Sequence, residues 1–370
     1  VAFVHDWFTM PGGADKVAHE IIDVIQPSGV FCLFNFMSPS SMDAVSPGLE
    51  PKTSFIQKLP FARKVYRQLA PLYPVAISRL DVSDFDVIIS SSWAAAKGIK
   101  KRPGQVHLCY CHTPMRFAWD LQDTYLEKYG YDSGVKRKLA KRMITRLRNW
   151  DAKTAQQVDY FMANSAFVAD RIVRAYGRRS EVIYPPVDTS RFTLHEPKLN
   201  YYFTASRFVD YKNLDLIIRA FNGMPDRQLL IAGQGPLEKS LKKIAGPNIR
   251  FLGWINDSEL VHFMQRARAF VNASVEDFGI AGLEAQACGT PVIALGRGGY
   301  SETVIEGETG LFFHREHHEA LADAIIRFEK RTFDPYSIRH HAVTFDRSIF
   351  RESFVNFFLD KTFSNVRELA

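Results

Sequence analysis

Two glutamates eight residues apart carry the chemistry most visible in this chain. Glu276 and Glu284 bracket the run Glu276-Asp277-Phe278-Gly279-Ile280-Ala281-Gly282-Leu283-Glu284. The apolar residues Ala269 to Ala273 predict a buried strand, Phe278-Gly279 a turn, and Ile280 to Ala287 a well-packed helix. A helix opening at Gly279 aims its first backbone N–H groups, and the positive end of its dipole, at whatever lies in front. An anion such as a diphosphate suits that place. Glu276 sits just ahead of the helix, and Glu284 lies about five residues in, roughly 7.5 Å along the axis. Carboxylates repel phosphate but accept hydrogen bonds from sugar hydroxyls. The ligand that fits is a diphosphate with a sugar on each side, a nucleotide-sugar. Any two glutamates taken alone are more often solvated surface acids, so the rest of the chain has to decide.

The elements around the pair form a regular series. Strands are expected at Tyr202–Ser206, Leu229–Ala232, Ile249–Leu252 and Pro291–Leu295, with a helix at Leu214–Phe221. Each strand runs into a loop with chemical character: Arg207 to Asn213, Gly233-Gln234-Gly235-Pro236, Gly253-Trp254-Ile255 and Gly296-Arg297-Gly298-Gly299. Arg207 and Lys212 place two cations in one such loop. An exposed basic pair is the plainer reading; facing Gly279 they would neutralise a diphosphate.

An earlier series opens the chain. Val1 to Val4 is a buried strand, His5 to Lys16 a loop containing Gly12-Gly13, and Val17, Ile21, Ile22 and Ile25 recur at helical spacing. Strand, glycine loop and helix begin a doubly wound α/β unit. The glycine pair reads equally as a simple tight turn. Further strands are expected at 31–36, 85–90, 105–111 and 160–164. His112-Thr113-Pro114-Met115-Arg116 follows one of them, at the strand ends where parallel sheets carry ligands. Tyr184-Pro185-Pro186 breaks the pattern as a hinge.

Composition narrows the class. A chain of 370 residues suggests two domains, and 46% hydrophobic with 24% charged residues is ordinary for a globular protein. No run of 18 apolar residues exists, and the first residues read as a strand rather than a signal peptide. Four cysteines make no disulfide framework, which suits a reducing cytoplasm. Cys109-Tyr110-Cys111-His112 lacks a second ligand pair for zinc and reads as buried strand cysteines. Asp84-Phe85-Asp86 has an acidic metal-binding form but stands at the start of a strand, which reads as structural. A net charge of +7 and a pI of about 9.1 invite anionic partners: nucleotide phosphates, membrane lipids or nucleic acid. Residues 55–80 mix basic and aromatic residues. Residues 135–153 interleave Lys136, Arg137, Lys138, Lys141, Arg142, Arg146, Arg148 and Lys153 with Leu139, Met143, Ile144, Leu147 and Trp150. That is a basic amphipathic helix, suited to an anionic membrane surface or equally to solvent. Phe345 to Phe363 reads as an aromatic-rich terminal helix.

Taken in order, Gly12-Gly13, Arg207 with Lys212, Ala232-Gly233-Gln234-Gly235-Pro236-Leu237, Glu276 with Glu284, and Gly298-Gly299 resemble the retaining glycosyltransferases of the GT-B fold, family 4. The resemblance covers nearly the whole chain. It implies an α/β fold of two Rossmann-like doubly wound domains facing across a cleft: 1–185 on the acceptor side, 186–344 binding the donor, and 345–370 a helix crossing back to the first domain. It implies that Gly12, Gly13, Arg207, Lys212, Phe278, Gly279, Ile280 and Ala281 bind the donor. Glu276 would contact the transferred sugar and Glu284 the ribose, with His112 beside the sugar and the base near Gly253, Trp254 and Ile255. Asp6 and Arg116 are acceptor-side candidates. Glu276 and His112 carry the catalytic expectation. No metal and no cofactor beyond the nucleotide-sugar are implied, and domain closure would exclude water. Where the family usually has Glu after Gly-Gly-Ala, this chain has the shorter Asp15.

The stretch Tyr110 to Asp120 resembles mannosyltransferases that build bacterial O-antigen or exopolysaccharide on a lipid carrier. That implies GDP-mannose as donor, a lipid-linked acceptor and a peripheral position at the inner face of the plasma membrane, with no nucleic acid as partner. The alternatives are a UDP-sugar-dependent member, a 2-epimerase or phosphorylase on the same fold, and a non-enzymatic basic protein binding membrane or nucleic acid.

Overall fold

The computed structural model describes residues 1–10, 12–120, 122, 126 and 133–367. The chain divides into two compact units, Val1–Tyr184 with Phe350–Ala370, and Pro185–Ile349. Residues 368–370 of the expected terminal helix lie outside the described residues.

The first unit holds seven parallel strands: β1 (Ala2–His5), β2 (Gly29–Cys32), β3 (Lys52–Thr53), β4 (Val87–Ser92), β5 (Val106–Cys111), β6 (Tyr160–Ala163) and β7 (Glu181–Val182). Their order is β3-β2-β1-β4-β5-β6-β7, so the chain reverses direction across the sheet between β1 and β4. Both faces are covered, which is why β1 reads as an unbroken apolar run. Ala2 and Val4 enter a cluster with Ile56, Tyr73, Ile77 and Leu147, while Phe3 enters another with Val17, Ile21 and Ile22. The terminal helix Arg347–Arg367 adds Phe350, Phe354 and Phe357 to that second cluster.

Two expected boundaries move. The strand expected at 31–36 ends at Cys32; beyond it the pairing shrinks to a one-residue bridge of Asn35 with Phe8, while Phe34 and Phe36 stack on each other and tilt against Tyr66. β4 begins at Val87, so Asp84-Phe85-Asp86 precedes the strand, and Asp86 takes a hydrogen bond from Arg102 at 3.2 Å. Cys32, Cys109, Cys111 and Cys288 are all buried and free, and burial pushes the Cys109 thiol up to about 12.

The helix Gly134–Ala155 is tied to the sheet by a buried ion pair. Lys97 bonds Asp151, both side chains being almost wholly buried. Trp119 Nε1 and Tyr176 Oη each donate to Asp151 Oδ2 at 2.8 Å, and Lys97 also donates to the Ala94 carbonyl at 3.2 Å. Such a pair persists only when its remaining lone pairs are filled in this way.

The second unit holds six parallel strands: β8 (Tyr201–Ala205), β9 (Gln228–Ala232), β10 (Ile249–Gly253), β11 (Ala269–Asn272), β12 (Val292–Leu295) and β13 (Gly310–Phe313). The order is β10-β9-β8-β11-β12-β13, with the reversal between β8 and β11. Open parallel sheets bind ligands outside the carboxyl ends of strands at such a reversal. The carboxyl ends here are Ala205, leading to Arg207 and Lys212, and Asn272, leading to Glu276. Among the described residues no helix is long and apolar enough to cross a membrane.

Candidate active site

In the second unit the loop after β8 makes one 3-10 turn, Asp210–Lys212, and Asn213 follows in the left-handed region at φ 50°. That turn delivers Lys212 Nζ to Glu276 Oε1 at 2.6 Å, with both side chains mostly buried. Ser274 Oγ lies 2.6 Å from the same oxygen and 2.8 Å from Asn272 Oδ1, so the carboxylate is oriented from two sides. Arg207 stands exposed just past the end of β8, and among the described residues it has no ion-pair partner. A cation left without an internal anion in a strand-end loop suits an anionic ligand.

That helix is Ile280–Ala287. Gly279 precedes it at φ 94°, a conformation that favours glycine, and no side chain caps the helix. Glu284, in its second turn, is 5% exposed. The loop after β12 braces the turn. Gly298 pairs with Glu276 as a one-residue bridge, and the Gly299 N–H donates to the Glu276 carbonyl at 2.8 Å. A Cβ on Gly299 would stand 2.5 Å from the Phe278 carbonyl carbon and nearer still to its Cα and oxygen. Behind the turn lies Tyr300: a Cβ on Gly282 would meet its Cε1 at 2.5 Å. Tyr300 is fully buried, and burial raises its hydroxyl well above the ordinary phenol range, with Glu276 and Glu284 adding to the shift.

The glycines after β9 have the same kind of cause. A Cβ on Gly235 would lie 2.5 Å from the Phe208 carbonyl, and the Phe208 N–H donates to the Gln234 carbonyl at 3.1 Å. This locks the loop after β9 against the loop carrying Arg207. Gly253 closes β10 at φ 73°, Trp254 is 70% exposed and Ile255 half-buried.

In the first unit Gly12 caps the helix Gly13–Ile25 without a side-chain bond. His112 follows β5, almost wholly buried, with Nε2 2.8 Å from Ser91 Oγ and its carbonyl held by Asn164 Nδ2 at 2.9 Å. The rings of Trp93 and Tyr110 meet it edge-on. Burial, and then the neighbouring His5, lower its pKa to about 3. It is therefore a neutral imidazole at physiological pH. Arg116 lies half-buried in the turn after His112, its carbonyl accepting from the Asp120 N–H at 3.1 Å.

Asp6 is corrected from an acceptor-side candidate to a structural anchor. It is fully buried, and its two oxygens accept four backbone N–H groups, from Trp93, Ala94, Ala95 and Ala96, at 2.5 to 2.8 Å. A carboxylate has about four acceptor positions, so none remains for a ligand. Sequence reasoning missed His5, whose Nε2 lies 3.5 Å from Asp15 Oδ1, and missed Ser274 and Tyr300. The one available signal was Asp15 itself, an acid in the first turn of a glycine-capped helix.

The fold and this arrangement define a class: two Rossmann-like parallel-sheet units, with strand-end loops suited to a diphosphate, are a GT-B glycosyltransferase architecture. Two family models match: Glycosyltransferase Family 4 over residues 11–191, and Glycosyl transferases group 1 over 187–342. The chain belongs to the family 4 glycosyltransferases. A curated relative from Corynebacterium glutamicum, a GDP-mannose-dependent monoacylated alpha-(1-6)-phosphatidylinositol monomannoside mannosyltransferase, is 32% identical over 47% of this chain and 54% of its own length. A GDP-mannose-dependent alpha-(1-6)-phosphatidylinositol monomannoside mannosyltransferase from Mycolicibacterium smegmatis is 30% identical over 44% and 50%. The matches thus span about half the length of these curated relatives. Among solved structures, Anabaena HepE in complex with UDP and glucose has a TM-score of 0.71 at 18% identity, covering 96% of this chain and 98% of that one. The lipopolysaccharide outer core galactosyltransferase WaaB has 0.66 at 17%, covering 97% and 99%.

Proposed function

We propose that the chain transfers mannose from GDP-mannose, with retention of configuration, to a lipid-linked saccharide destined for bacterial surface polysaccharide, O-antigen or exopolysaccharide, at the inner face of the plasma membrane. The observation that carries this reading is Lys212 Nζ held 2.6 Å from Glu276 Oε1 beside the uncapped helix at Gly279. Lys212, Arg207 and the helix N-terminus stabilise the negative charge that builds on the departing diphosphate. With that much positive charge supplied by the chain, the reaction needs no metal ion. Glu276 receives the sugar hydroxyls, Glu284 the ribose, and Gly253 to Ile255 flank the base; Phe278 to Ala281 line the phosphate and sugar oxygens. The acceptor hydroxyl attacks the face from which the diphosphate leaves, and a phosphate oxygen takes its proton. In the first unit, His112 as a neutral imidazole can offer a ligand a hydrogen bond without adding a positive charge, and Gly13 lets the backbone come close to one. The GDP-mannose dependence in the names of the curated relatives supports the choice of donor.

Calorimetric titration with GDP and with UDP, each with and without EDTA, tests the proposal. Tight, EDTA-insensitive GDP binding is expected. Preference for UDP would replace the donor, and binding of neither would overturn the site. Lys212→Ala and Glu276→Ala should each lower kcat by about 10²–10³-fold with the fold intact; activity near that of the wild type in either would refute the assignment.

A further inference from the structure

The positive charge of this chain is concentrated. The segments 55–80 and 134–155 hold five and eight Lys and Arg respectively, and their one carboxylate, Asp151, is buried against Lys97. Outside them, thirty-four cations face thirty-nine carboxylates, so the remainder of a chain of net charge +7 is itself net acidic. The two segments lie far apart in sequence, yet both pack on one hydrophobic cluster. Ile56, Tyr73, Ala76 and Ile77 share it with Leu147, and Ile144 and Trp150 pack at its margin. They therefore cover the same face of the first unit's sheet.

Large apolar side chains stand exposed among these cations. Val135 is 82% exposed, Phe61 75% and Leu139 60%. Phe61 is held at φ 56° and ψ 14°, the left-handed region that a bulky residue rarely adopts. Lys58, Lys64 and Arg142 are exposed, and among the described residues none has an ion-pair partner.

We propose that this face, formed by 55–80 and 134–155, docks on an anionic lipid bilayer, with Phe61, Val135 and Leu139 entering the headgroup boundary and the cations meeting lipid phosphates. Charge complementarity selects an anionic partner. The exposed apolar residues select lipid over nucleic acid, since a phosphodiester backbone offers them nothing to enter. The inference deepens the membrane-facing part of the proposed function and rests on it only for the acceptor. The surface lies wholly in the first unit, and Lys212 and Glu276 belong to the second.

The test is co-sedimentation of the full chain with phosphatidylcholine vesicles and with vesicles containing one third phosphatidylglycerol, at low and high salt. Binding to the anionic vesicles only, lost at high salt, is expected. The triple variant K58E/K64E/R142E should lower the partition coefficient by at least on the order of 100-fold. Phe61→Gly should lower it about tenfold and leave the melting temperature unchanged or higher, because glycine tolerates that φ. Equal binding to both vesicle types, no binding by the wild type, or duplex DNA bound as tightly as anionic vesicles would overturn the proposal. So would a lowered melting temperature in Phe61→Gly, which would make the ring a packing residue. GDP titration of the same proteins separates the two readings: vesicle binding with no nucleotide binding sinks the proposed function and leaves the docking face standing, and the converse sinks only the docking face.

Discussion

Gly299→Ala tests whether the site depends on the close approach of two strand-end loops. Gly299 has φ −61° and ψ −23°, which any residue adopts, so alanine carries no backbone penalty there. The whole cost is collision. Its Cβ would stand 2.5 Å from the Phe278 carbonyl carbon, where ordinary contact begins near 3.4 Å, so the Phe278 peptide must retreat by about 1 Å. That peptide leads directly into Gly279 and the helix N-terminus, and its neighbour Glu276 gives its carbonyl to the Gly299 N–H at 2.8 Å. A retreat of about 1 Å breaks that bond and misplaces the phosphate-facing turn, and misplacement of this size costs about 100-fold in rate. Overpacking should cost roughly 1–3 kcal/mol in stability. The control is Gly223→Ala, at φ −75° with its nearest Cβ contact 3.4 Å away, which should be neutral or stabilising by about 0.4–1 kcal/mol. Steady-state transfer and urea unfolding of both variants provide the assay. If Gly299→Ala keeps wild-type kcat and stability, the two loops are not locked as described and the reasoning fails.

Three further outcomes are expected. Lys97→Met leaves Asp151 buried without its cation and should cost about 3–5 kcal/mol in urea unfolding, while Lys97→Met with Asp151→Leu should recover most of it; equal loss in single and double variants would contradict the account of the pair. His112 and His107 both have pKa values lowered from 6.5 to about 3 by burial, so the folded state keeps them neutral while the unfolded chain takes up protons. Their contribution is therefore present above pH 6.5 and is lost progressively as pH falls toward 3; at pH 5.5 each should cost about 1.4 kcal/mol relative to pH 8, and His107→Gln should make the slope shallower by its own share. Asp6→Asn turns an amide N–H toward a nest of four backbone donors and should destabilise by about 1–3 kcal/mol, seen as a lower melting temperature. An unchanged melting temperature with altered acceptor KM would return Asp6 to the acceptor side.

The sequence by itself determined the central strands, because in a parallel sheet both faces are buried and each is a short apolar run whatever its neighbours are, whereas the edge strands β3, β7 and β13 were not legible. It also singled out the strand-end loops with charged and glycine residues. Glu276, Gly279 and Lys212 are legible there because a glycine turn ahead of a helix, an acid before it and a lysine in another strand-end loop are local signals. Only the tertiary structure decided how those groups are used. Residues 34 to 36 look like a continuation of the strand but pair only through an isolated bridge to Phe8. Asp6 looks like a ligand but is consumed by N–H groups nearly ninety positions away. Lys97 and Asp151 meet across 54 positions, and Gly299 is glycine because of Phe278. These are pair properties. A residue's sequence neighbours determine its preferred conformation, but which distant group fills its lone pairs or limits its volume exists only once the chain has closed on itself.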